Sequence, residues 1–163
     1  MPGPTPLTKT QRHIPQGTSK YYWLPVVAAP TLAATRAEID GGTDLTPEMA
    51  AVTGFSTTGA VVDTPDAASR FVSRVPGLIT PDDSSISFYG SRDGEDAGTF
   101  FTRDQTGFIL FADGGDVPTQ PAEIFPVTVT SVSRARDLTA ARLVMVAFAI
   151  TAEPQVIDLP ATT

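Results

Sequence analysis

Three groups of acidic residues are the first candidates for a catalytic or metal-binding role. Asp82-Asp83, Asp93 with Glu95 and Asp96, and Asp113 with Asp116 could serve as calcium loops or as paired catalytic carboxylates. None has the alternating oxygen ligands, turn glycine and distal glutamate of an EF-hand loop. Each sits beside glycine or proline at a turn, or at the start of a short helical segment, where aspartate serves the backbone. Glycosidase-type pairs are defined by separation in space, so a hydrolase with buried carboxylates stays open as an alternative. The other chemistries lack their residues. The chain has no cysteine and one histidine, His13, in a proline-rich leader. Thiolate nucleophiles, multi-histidine metal sites and histidine acid/base chemistry are therefore not expected. The glycines build no GxxxxGK[ST], GxGxxG or GxSxG sequence, and Asp113-Gly114-Gly115-Asp116 sets acids where a phosphate cradle needs a lysine. The expectation is a protein that is not an enzyme and needs no cofactor or metal.

The elements that would carry these residues read as strands and turns. The 163 residues include 15 prolines and 13 glycines, with 18% charged side chains. Such a chain favours short strands over long helices. Strand-like runs fall at Tyr21–Val27, Met49–Thr58, Ser69–Val75, Ser84–Tyr89, Phe108–Phe111, Ile124–Ser133 and Arg142–Thr151. The runs at 69–75 and 84–89 read as a hairpin around Thr80-Pro81-Asp82-Asp83. The nearly unbroken apolar run at 142–151 suggests a strand buried on both faces. Thr35 and Glu38 have capping-box spacing for one helical turn closed by Gly41-Gly42. The one convincing helix is expected over 94–103, with Asp93 as cap, Glu95 and Asp96 in its first turn and Phe100 and Phe101 on its apolar face. The expected architecture is mainly β, a sandwich or barrel of about six or seven strands with one short flanking α-helix.

Charge divides unevenly along the chain. The net charge is −7. Residues 1–35 hold Lys9, Arg12 and Lys20 and no acid, so residues 36–163 carry −10. An acidic body is a poor binder of nucleic acid, because such binding draws on phosphate neutralisation. The expected organisation is a basic, extended arm over residues 1–19, a β domain over 20–155 and a short tail over 156–163. No run of about 18 apolar residues is present to form a membrane helix. The opening Met1-Pro2-Gly3-Pro4-Thr5-Pro6 lacks the pattern of a signal peptide.

Several segments, taken in order, resemble a known family: Lys20–Pro25, Thr35–Leu45, Asp63–Asp66, Ser69–Phe71, Val75–Gly77, Asp83–Tyr89, Asp113–Pro118 and Phe125–Val127. The pattern, over about residues 18–155, is similar to the major tail tube proteins of long-tailed phages that infect actinobacteria. The proline-rich leader is not part of it. The resemblance implies a structural virion protein, made in the host cytoplasm, that stacks as hexameric rings into a hollow tail tube. It implies tail terminator, tape-measure and distal tail proteins as partners, and double-stranded DNA that passes without specific binding. Within that frame, Lys9, Arg12, Lys20, Thr64, Pro65, Asp66, Arg70 and Arg74 are the candidate contacts between subunits, and the lumen-facing acids are not identified. Two alternatives are a tube subunit of a contractile injection system and a β-sandwich decoration or baseplate protein that binds a sugar or receptor.

Overall fold

A computed structural model describes residues 3–162. The described chain holds ten strands, two short α-helices and one 3-10 turn at Thr46–Glu48. The strands and α-helices are β1 (Lys20–Leu24), α1 (Arg36–Asp40), β2 (Thr43–Asp44), β3 (Met49–Thr53), β4 (Thr57–Thr64), β5 (Ser73–Pro81), β6 (Ser84–Tyr89), α2 (Ala97–Phe100), β7 (Thr106–Ala112), β8 (Pro121–Ala135), β9 (Leu143–Ile150) and β10 (Gln155–Asp158). Eight strands form one antiparallel sheet in the order β2-β1-β7-β8-β9-β6-β3, with β10 also on β8. β4 and β5 pair only with each other.

The long strand β8 organises the sheet. Its first half pairs with β7 and β10, and its second half with β9. A register shift between Val129 and Ser131 leaves Thr130 as the extra residue, with its hydroxyl donating to the Ala147 carbonyl at 3.1 Å. A bulge of this kind bends a strand and increases its twist. Phe125, Val127 and Val129 of β8 share one core with Val144, Val146 and Phe148 of β9. That core is aromatic. Trp23 meets Phe101 edge-on at 5.2 Å, and Phe55 packs on Phe111 at 4.9 Å and Phe125 at 5.5 Å. Each such pair contributes about 0.5–1.5 kcal/mol beyond the area it buries.

A second cluster lies on the other face of β1 and β7. Leu24, Leu110, Ile124 and Ile157 pack there beneath Ile39 of α1. α1 starts as its sequence dictates: the Thr35 side chain accepts the Glu38 N–H, and Glu38 accepts the Thr35 N–H at 2.8 Å. Those bonds, with one from the Ala28 N–H, hold the Glu38 carboxyl below its ordinary range. Arg36 then clamps the helix to the loop after β7. Its guanidinium donates to both Asp116 oxygens, at 2.7 and 2.9 Å, and to Asp40 at 2.8 Å.

Several elements differ from the sequence reading. The mainly β architecture stands, but the sheet does not close into a barrel. The helix expected over 94–103 shortens to Ala97–Phe100 and is capped by Asp96. Asp93 is occupied by the Ser91 hydroxyl and the Glu95 N–H, and Gly94, Gly98 and Thr99 are weak helix formers. The run 49–58 breaks at Gly54 and Phe55, both at positive φ, which send the Phe55 ring into the core. β9 is buried on one face only. Its outer positions include Ala147, Ala149 and the exposed Met145, and alanine does not report which way a strand faces. β5 pairs with β4 rather than β6. The Asp82 carboxylate ties the root of that pair by accepting from Ser56 at 2.6 Å and Thr58 at 2.9 Å. β10 crosses the boundary expected at residue 155, and Ile157 and Leu159 are buried, so this part of the tail belongs to the sheet.

Candidate assembly surface

The hairpin of β4 and β5 is the least covered strand pair of the described chain. Of its 17 strand residues only Gly77 is even partly buried. Alternation places side chains on both faces of a strand pair, and here both faces carry apolar groups without a sheet beneath them. Leu78 is 81% exposed and Phe71, in the loop at the tip, 77%, with Val61, Val62, Val72, Val75 and Ile79 also exposed. An isolated two-stranded hairpin is marginal in water, and monomers rarely present a contiguous apolar patch of this kind.

Local bonds shape the tip. The Thr64 hydroxyl lies 2.9 Å from the Ser73 hydroxyl. Asp66 accepts the N–H groups of Ala68 and Ser69 at 2.8 and 3.0 Å, turning the chain after Pro65. Arg74 pairs with Asp63 across the strands at 2.8 Å, so its charge is engaged within the hairpin. Arg70 is exposed. The candidates Thr64, Pro65, Asp66, Arg70 and Arg74 thus lie together at one end of the projection. Val61, Val62, Leu78 and Ile79, missing from the candidate set, supply its apolar surface. Their signal was present as apolar residues on both faces of one strand, but that pattern also fits a core strand.

The remaining candidates lie elsewhere. Lys9 and Arg12 are in the exposed leader, and Lys20 opens β1 with its ammonium 4.0 Å from Asp44. Around α2, Phe101 is 1% exposed and belongs to the core, whereas Phe100 is 41% exposed. Asp96 accepts the Gly98 N–H at 2.9 Å and faces Arg134 at 3.7 Å. Glu95 is exposed. Among the described residues no group of three acidic or histidine side chains gathers as a metal site.

A mainly β fold with a buried aromatic core and an apolar strand pair left bare has the build of a structural subunit rather than of a catalytic domain. The chain matches the family model described as phage tail tube protein over residues 7–159, and it belongs to that family. The match takes in much of the leader, which the ordered resemblance had left outside. No curated protein matches the chain. The protein is a structural component of a phage tail, and its family is not an enzyme family. No helix among the described residues is long and apolar enough to cross a membrane.

Proposed function

We propose that this chain assembles as hexameric rings, that the rings stack into a hollow tail tube, and that the tube conducts the genome during ejection. The observation that carries this reading is the bare β4–β5 hairpin. Its apolar faces need cover, and a neighbouring subunit supplies it. Bound there, the hairpin extends the contact from one ring to the next, with Arg70 and the Thr64–Asp66 turn at its tip. The tail terminator, tape-measure and distal tail proteins meet the tube at its ends and along its lumen. Assembly takes place in the host cytoplasm.

The charge of the body suits a conduit. Six chains of −7 give a ring of −42. A wall carrying part of that charge repels the phosphate backbone and lets DNA slide without adhering. The hairpin role is tested with Phe71→Asp and Leu78→Asp, which place charge in the contact without touching the core. Both variants should keep the wild-type Tm within about 3 °C, since surface changes of this kind cost little folding energy, and should fail to form tubes by electron microscopy. Tubes of normal length from both would remove the hairpin from the contact.

A further inference from the structure

A groove of about 410 Å³ lies between the β2 edge and α2. Leu45, Phe88 and Phe101, all buried, form its floor, and the half-exposed Phe100 forms a wall. Glu48 and Glu95 stand exposed on its rim, and neither has an ion-pair partner among the described residues. The site is therefore apolar below and acidic above, which suits a segment that presents an aliphatic side chain next to a cation.

The N-terminal arm has that composition. Residues 3–18 are exposed throughout, Leu7 is 99% exposed, and Lys9 and Arg12 follow without an intervening acid. Among the described residues, the arm's hydrogen bonds to the body come from its base. His13 Nε2 lies 3.1 Å from the Asp113 carbonyl, which also accepts the Ser19 hydroxyl at 2.9 Å. From Leu7 to Arg12 an extended chain reaches up to about 17 Å, enough to lie along a groove of this volume. We propose that the arm of a second copy docks here, with Leu7 on the aromatic floor and Lys9 and Arg12 against Glu48 and Glu95. This rests on the tube reading, in which copies pack as neighbours. The hairpin tip is another exposed apolar segment, but its charges cancel: Asp63 pairs with Arg74, and Asp66 accompanies Arg70. Of these two segments, the arm is the one that brings net positive charge to an acidic rim.

The absence of cysteine makes the test direct. Full-length Arg12→Cys chains are mixed with full-length Glu95→Cys chains, assembled and oxidised with copper phenanthroline. A disulfide between positions 12 and 95 of different chains should dominate by mass spectrometry. Separately, the double change Glu48→Lys and Glu95→Lys should raise the concentration needed for assembly roughly tenfold, and adding Lys9→Glu and Arg12→Glu should restore it to within about threefold. Wild-type tubes together with unaltered assembly of the charge-reversed chain would overturn the arm and leave the tube standing. A link from Glu95→Cys to Arg70→Cys in place of Arg12→Cys would assign the groove to the hairpin and overturn the arm. A wild-type chain that forms no tubes would overturn both, and that outcome is visible with the unmodified chain alone.

Discussion

Arg36 and Asp116 carry the most specific side-chain interaction in the molecule. The two-point bond from the guanidinium holds the Asp116 carboxyl below its ordinary value near 3.8, against the opposing effect of partial burial. Burial and the neighbouring Asp116 push the Tyr22 phenol up to about 12, and its hydroxyl donates to Asp116 at 3.3 Å. A carboxyl depressed in the folded state adds stability above its unfolded value, and that stability is lost as pH falls through the folded value. Asp116→Asn should therefore cost about 1–3 kcal/mol at pH 7, as expected for charge-assisted bonds to a partly buried group. The gap to wild type should narrow below about pH 4. Thermal unfolding at pH 7 and pH 3 measures both, and an equal gap at the two values would contradict the assignment. Residue types and spacing made the local part of this legible, since Thr35 and Glu38 fit a capping box by their separation along the chain alone. The clamp across 80 residues of sequence was not legible, because nothing local links Arg36 to Asp116.

At the scale of elements, the turn at Gly54-Phe55 separates the covered sheet from the bare hairpin. Gly54 has φ +79°, and a Cβ there would meet the backbone of Asp83 and Ser84. Gly54→Ala should cost about 2–4 kcal/mol through left-handed strain and overpacking, and should lower the Tm. It should also misdirect β4, so that tubes fail even at temperatures where the fold survives. Wild-type Tm and normal tubes would show that the turn tolerates a side chain. Strand positions were largely readable from alternation and turn residues, as at Ser84–Tyr89 and Phe108–Phe111. Pairing was not. The run at 69–75 gave no sign that its strand continues through Pro76 to Pro81, nor that Asp82 ties it to β4 through Ser56 and Thr58. Register rests on such long-range bonds, and one sequence does not display them.

For the whole molecule, the division of charge matters more than its sum. In the proposed tube, a basic arm, an acidic groove and an acidic body would let a subunit attract its own kind at one place and repel DNA elsewhere. Residue order made the charge split and the family legible. It did not reveal the groove, whose floor comes from Leu45, Phe88 and Phe101, far apart in sequence. The arm contact should weaken with added salt, because exposed ion pairs are screened, whereas the apolar hairpin contact should persist. The most direct measurement is electron microscopy of the purified full-length protein across a concentration series. The expected result is rings of six subunits stacked into tubes with an open central channel. Separate monomers at every concentration, with a cooperative folding transition to show that the chain is native, would contradict it.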